Sequence, residues 1–311
     1  MRRAHGKLLL TGEYFVLDGA LALAMPVRFG QSMTMDIRTD NSPYEMRWVS
    51  QDEKGDTWFS SSWKMEDEQV QLCKASDEAT GDRLLQLFRA VEKQDKTALQ
   101  QLFGVDIYTR TDFPRNWGLG TSSTLVSLLA QSTKTNPYQL LADSFGGSGY
   151  DIACATAETP ILYRREHGEA VVEAAHWQPS YTDHVYFAFL GQKQNSREGI
   201  RHYRELGGTQ PTLIDQVTDL TNAFLEAPTL TEAQTVLEAH EDFISEVLQM
   251  PKVKEERFAD FSGTVKSLGA WGGDFVMILS DWPEEKIRSY FKAQGCPVVF
   301  PFAEMALPKM K

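Results

Sequence analysis

Residues 114–124 read Pro-Arg-Asn-Trp-Gly-Leu-Gly-Thr-Ser-Ser-Thr, a glycine pair and a run of hydroxyls set where an apolar helical pattern begins. Gly118 and Gly120 let the backbone turn tightly and come close to a ligand. The N–H groups that follow form the positive end of a helix dipole, where phosphate oxygens bind well. Pro114, Leu119, Thr121, Ser122 and Ser123 complete this candidate phosphate cradle. Two other nucleotide signatures fail on the residues. No lysine follows Gly120, as a Walker loop requires, and Ser123 stands where a dinucleotide fingerprint needs its third glycine. Taken alone, the stretch also fits a plain glycine turn with Thr121 as the helix N-cap.

Three further clusters carry residue types suited to chemistry on a phosphate: Gly6-Lys7…Gly12-Glu13-Tyr14, Ser148-Gly149-Tyr150-Asp151, and Gly269-Ala-Trp271-Gly272-Gly-Asp274. Phosphoryl transfer asks a protein to position the transferred group, offset its charge and handle one hydroxyl proton. Asp151 suits the proton, and Lys7 suits the growing charge. Each also has an ordinary reading. An aspartate in a loop is usually a turn or cap residue, Glu13 fits a surface turn, and Ser196-Arg197 fits a helix start.

Positioning these groups falls to an α+β chain. Short buried strands are expected at 7–10 and 20–27, with partly exposed strands at 33–37 and 44–49. Over 50–80 the polar text predicts a strand, a long loop and the approach to a helix. Helical spacing covers 82–103, a strand at 105–111 leads into the glycine loop, and a helix spans 121–132. Another helix starts after Asn136-Pro137, and a hairpin-like pair lies around 161–164 and 170–174. A second unit is expected from residue 181, with a buried strand at 185–190, helices within 195–268 and a closing strand, helix and strand. The domain division is thus 1–180 and 181–311. With 311 residues, 42% of them hydrophobic, the chain can bury two medium cores.

The balance of 31 basic against 43 acidic residues, net −12, argues against a nucleic-acid or anionic-membrane surface. No run of eighteen apolar residues exists to span a membrane, and the apolar start stops too early for a signal segment. Cys73, Cys154 and Cys296 have no metal-like spacing and fit incidental thiols of a reduced, cytoplasmic protein.

The four motifs, in order from residue 5 to residue 274, resemble those of the GHMP small-molecule kinases, which include galactokinase, homoserine kinase, mevalonate kinase and phosphomevalonate kinase. The resemblance implies a two-domain GHMP kinase fold, with an N-terminal domain like domain 2 of ribosomal protein S5 and a ferredoxin-like C-terminal domain. It implies an ATP-dependent phosphotransferase with Mg²⁺, acting on a small molecule as a monomer or homodimer. By the same resemblance Asp151 and Lys7 are catalytic, residues 114 and 118–123 hold ATP, and Ser122 contacts the metal. Glu13, Tyr14, Ser148, Gly269, Trp271 and Gly272 line the substrate, as do Ser196 and Arg197 after the second-unit strand.

The chain departs from the family pattern in three places. The magnesium-binding glutamate usual in mevalonate kinases is missing, so either Asp143 replaces it or nucleotide, hydroxyls and water hold the ion. Trp271 replaces a small residue and is expected to narrow the pocket. Tyr14 in place of histidine, with Gly-Gly-Asp274, looks more like phosphomevalonate kinase, and Lys193, Arg197 and Arg201 would meet a phosphorylated acceptor. Phosphomevalonate or mevalonate, of the isoprenoid pathway, is therefore the expected acceptor. The alternatives are a diphosphomevalonate decarboxylase-like enzyme, or a ligand-binding homologue without chemistry.

Overall fold

The computed structural model describes residues 1–39, 45–192, 196–206 and 210–307, with the side chains of Ser196 and Arg197 outside that description. Two compact units interleave along the chain. The first comprises Met1–Gly6, Phe29–Arg115 and Leu119–Thr156; the second comprises Lys7–Arg28, Asn116–Gly118 and Ala157–Lys311.

Strands β1 (Arg2–Leu9) and β2 (Ala22–Ile37) each pass from one unit into the other. In the first unit follow β3 (Glu45–Gln51), β4 (Thr57–Glu66), β5 (Gln69–Ala75), α1 (Glu78–Gln94), α2 (Lys96–Gln100), β6 (Val105–Thr111), α3 (Thr121–Thr133), α4 (Pro137–Asp143) and α5 (Tyr150–Cys154). The sheet order here is β5-β4-β3-β6-β2, antiparallel except that β3 runs parallel to β6. The long loop expected over 50–80 is instead the pair β4 and β5. Phe59, Ser61 and Trp63 alternate inward along β4, and the Trp63 indole N–H donates to Ser61 Oγ at 2.8 Å. A small hydroxyl that satisfies a buried indole occupies a core position, so the polar text concealed a period-2 pattern.

The helix expected over 82–103 breaks at Asp95, whose carboxylate accepts from the Thr97 and Ala98 N–H groups and starts α2. Leu84, Leu87, Phe88 and Val91 form the buried stripe of α1, with Phe88 edge-on to Trp63 at 5.0 Å between ring centroids. Asn136 caps α4 as its sequence suggests, accepting from Tyr138 and Gln139 N–H, with Pro137 in the first turn.

The second unit continues with β7 (Ile161–Glu166), β8 (Glu169–Ala174), β9 (Val185–Phe189), α6 (Ser196–Glu205), α7 (Pro211–Glu226), α8 (Leu230–Leu248) and α9 (Val253–Arg257). After these come β10 (Thr264–Leu268), β11 (Phe275–Leu279), α10 (Glu284–Ala293), β12 (Val299–Pro301) and α11 (Phe302–Met305). The hairpin β7–β8 turns through His167 and Gly168, both at positive φ, the mirror-image turn that matches strand twist. Residues 22–24 of β2 pair with β7. The second sheet is antiparallel, in the order β10-β11-β9-β12. Every residue of β9, β10 and β11 is buried; β9 and β11 read as continuous apolar runs, whereas β10 carries Thr264, Ser267 and the one charged residue of the three strands, Lys266. No helix among the described residues is long and apolar enough to cross a membrane.

Candidate functional site

Strand β1 delivers Lys7, and the chain then turns at Thr11–Tyr14. Gly12 has φ +91, and a Cβ there would lie 2.6 Å from the Ala22 Cβ, so only glycine fits this turn. Buried contacts within the second unit fix the turn. Thr221 Oγ1 donates to Thr11 Oγ1 at 2.9 Å, and Gly12 N–H donates to His240 Nε2 at 3.3 Å. Lys266 Nζ donates to Glu13 Oε1 at 2.6 Å. Trp271 N–H donates to the Tyr14 hydroxyl at 2.8 Å. Tyr14 itself takes a left-handed backbone, φ 60, and stacks on Tyr203 at 5.7 Å.

Glu13, expected at the substrate, is fully buried. Burial pushes its carboxyl above the ordinary range, with Lys266 pulling the other way. The enclosed Lys266 ammonium also donates to its neighbour Ser267 O at 2.8 Å and stands 3.6 Å from Glu241 Oε1. Burial raises Glu241 to about 7, against the pull of Lys266 and with a push from Glu13. His240, with Nε2 3.5 Å from Glu13 Oε2, is held well below its usual value by burial and then by Lys266, which keeps it neutral. Burial also raises the Tyr14 hydroxyl.

The second and third motifs meet the first at Gly118. Lys7 Nζ donates to the Gly118 carbonyl at 3.0 Å. Gly118 has φ +68, and a Cβ on it would fall 1.6 Å from Asp274 Oδ2 at the end of the third glycine loop. Trp117 anchors the approach, edge-on to Phe275 and Phe300 at 5.9 and 5.3 Å. Gly269 and Gly272 both lie at positive φ in the third loop. Between them Trp271 does not narrow an open pocket. Its indole is buried beside Tyr14, Phe15 and Tyr203 and donates to the Pro251 carbonyl at 2.9 Å, because this large apolar group gains more from the core than from water.

In the first unit, α3 starts directly after Gly120, which is its N-cap at φ 93 and brings no side-chain hydrogen bond. Gly120, not Thr121, is therefore the cap. The first helical bond runs from Thr124 N–H to Gly120 O at 3.0 Å, so the Thr121, Ser122 and Ser123 N–H groups precede the helical ladder. Ser122 is exposed and Thr121 half-buried, whereas Ser123 is buried and donates to Gly120 O at 2.8 Å. That bond turns the Ser123 hydroxyl into the turn, so its backbone is what the cradle presents. Leu119 is fully buried and anchors the loop, and Pro114 is half-buried.

Asp151 lies in the first turn of α5, half-buried, where Gly149 at φ 93 is the cap; its Oδ1 accepts from Ile152 N–H at 3.0 Å. Its charge contributes to the raised Tyr138 hydroxyl, after burial and Cys154. Ser148 precedes it, half-buried. Asp143 is engaged by Lys93 Nζ at 2.7 Å and Gln139 Nε2 at 2.9 Å, which hold its carboxyl below the usual range. Both oxygens thus have protein donors, which does not suit a replacement for the missing metal-binding glutamate. No group of three or more His, Cys, Asp or Glu that could hold a metal ion occurs among the described residues. Lys193 and the side chains of Ser196 and Arg197 lie outside the described residues; Arg201 is exposed, 3.9 Å from Glu205.

Sequence reasoning missed Lys266, His240 and Glu241. A signal was present in each case: a lysine inside the short β-prone run Thr-Val-Lys-Ser-Leu, and His240-Glu241 on the α8 stripe of Ala233, Leu237, Ile244 and Leu248.

The large mixed sheet, the small antiparallel sheet and the three converging glycine segments give the chain the fold of the GHMP kinases. No known family model and no curated protein sequence matches it. Solved structures do match. L. major mevalonate kinase, in complex with R-mevalonate, is similar over 96% of this chain and 93% of its own, with 16% identity and a TM-score of 0.66. Streptococcus pneumoniae phosphomevalonate kinase, in complex with phosphomevalonate and AMPPNP, is similar over 96% and 98%, with 15% identity and a TM-score of 0.69. Lactococcus lactis galactokinase, complexed with galactose, is similar over 94% and 88%, with 12% identity and a TM-score of 0.65.

Proposed function

We propose that this protein is an ATP-dependent kinase that phosphorylates a small alcohol, with phosphomevalonate or mevalonate as the preferred acceptor. The observation that carries the reading is the Lys7 ammonium on the Gly118 carbonyl, two residues before an α3 N-terminus that no side chain caps. An N-terminus of that kind accepts phosphate oxygens through its backbone N–H groups and dipole. ATP supplies the transferable phosphoryl group. The residues present fit it: Gly120 brings no side chain to the start of α3, Thr121 and Ser122 offer hydroxyls, and Lys7 offers positive charge in a chain of net −12. Mg²⁺ would be held by Ser122 together with phosphate oxygens and water, a set that suits an ion content with few protein ligands. Asp151 takes or orients the acceptor hydroxyl's proton, and Lys7 stabilises charge developing on the transferred group.

For the acceptor, Tyr14 and Gly-Gly-Asp274 favour a phosphomevalonate kinase-like site, and two of the similar structures are a mevalonate kinase and a phosphomevalonate kinase. The test is an ATP-consumption screen against mevalonate, phosphomevalonate, diphosphomevalonate, homoserine and common sugars, with CO₂ followed in parallel. Turnover on one of the first two without CO₂ is expected. CO₂ release would replace the kinase by a decarboxylase, and no turnover on any compound would remove the proposed acceptors. With the acceptor in hand, Asp151→Asn and Lys7→Ala should each lower kcat by at least about a hundredfold, with circular dichroism unchanged. Near wild-type turnover in either would reject that residue's role.

A further inference from the structure

We propose that Lys266 is a positioning residue: enclosed between the Glu13 and Glu241 carboxylates, it locks the Thr11–Tyr14 turn to strand β10 and so fixes where Lys7 presents its ammonium. As a statement about catalysis this rests on the kinase reading; as a statement about Lys7 it does not.

Lys266 is a lysine with no exposure to water, in a strand whose other residues are apolar or small. A buried ammonium is costly unless paired and hydrogen-bonded, and an apolar residue of similar volume usually serves stability as well or better. Stability alone therefore does not account for it, whereas geometry does. Its 2.6 Å bond to Glu13 joins residues 253 apart in sequence, within one compact unit.

From Lys266 two routes lead to the same lysine. Along one, Glu13 and Gly12 continue back through the turn into β1 and Lys7. Along the other, β10 runs into the third glycine loop, where Trp271 N–H holds the Tyr14 hydroxyl at 2.8 Å and Asp274 packs on Gly118, whose carbonyl holds Lys7. The contacts close a ring, and the Lys266–Glu13 pair is its charged link. His240 closes the remaining side, with its Nε2 accepting from Gly12 N–H. In this arrangement Glu13 acts on the site through the backbone it holds.

The experiment measures Lys7 directly. Competitive acetylation with limiting acetic anhydride, read by mass spectrometry, reports the relative reactivity of each lysine amine in the folded protein. Two variants are compared with wild type: Lys266→Met, and the charge-balanced pair Lys266→Met with Glu13→Gln, which removes the link together with both of its charges. Positioning predicts that Lys7 reactivity changes about fivefold or more in both, while the exposed Lys96 and Lys292 keep their rates. A purely structural role predicts that the balanced pair returns both the melting temperature and Lys7 reactivity to wild type, which would overturn the proposal. If Lys266→Met does not fold, the balanced pair alone decides.

With an acceptor identified, kcat should fall in parallel with the change in Lys7 while KM for ATP stays within about twofold. A wild type without kinase activity would sink the functional reading and leave the labelling result standing.

Discussion

At the scale of single residues, two positions turn local geometry into measurable behaviour. Gly118 sits at φ +68 with Asp274 where a Cβ would go, so Gly118→Ala must distort one of the two loops. Binding of a fluorescent ATP analogue should weaken at least about tenfold, the equivalent of roughly 1.4 kcal/mol of strain. Glu241 is the second position. Burial raises its carboxyl from an ordinary 4.5 to about 7. Between those values the folded protein retains a proton that the unfolded chain has released, so this residue's contribution to stability falls as pH rises through that window. Glu241→Gln keeps the uncharged form throughout. Its melting temperature should match wild type near pH 4 and exceed it by roughly 5 °C near pH 8. A difference that does not grow with pH would mean that Glu241 is ionised in the fold without penalty. The turns at Gly118 and Gly120 were legible in the sequence because a glycine pair marks positive φ without tertiary information. The burial of Glu13 and Trp271 was not, because it depends on Lys266 and Tyr14 respectively, 253 and 257 positions away along the chain.

Among the elements, α3 matters most, since its first turn is the proposed phosphate cradle. The helix is held at its start by Thr124, whose hydroxyl donates to the buried Gln31 Oε1 at 2.7 Å on β2. Thr124→Val keeps the shape and leaves that oxygen without its donor, at a cost of about 1–3 kcal/mol. Thermal stability should fall accordingly, and KM for ATP should rise more than kcat falls; unchanged values would show that packing alone orients the helix. The existence of α3, α4 and the β7–β8 hairpin followed from caps, turn residues and periodicity. The β4–β5 pair did not, because buried Ser61 stands where a sequence pattern calls for an apolar residue, and the break at Asp95 was hidden inside an otherwise helical run.

For the molecule as a whole, the net charge of −12 opposes the approach of any anionic nucleotide. Raising ionic strength from about 10 to about 150 mM shortens the screening length from about 30 to about 8 Å, so kcat/KM for ATP should rise over that range. A fall would show that the local cations, Lys7 among them, dominate the encounter. The long-range contacts that hold the first turn also bear on how the chain comes into being. Gly12 meets His240 across 228 positions and Tyr14 meets Trp271 across 257. At about 5–20 residues per second of synthesis, the Glu13 carboxylate waits in water for tens of seconds before Lys266 exists to receive it. The second unit, whose segments alternate with those of the first along the chain, therefore completes only after β10 and β11 have been made. A nascent chain can build the α1 core and the α3 helix early, but it acquires the ring around Lys7 only once residues 266–274 have been made, so Lys7 is held in place long after it is synthesised.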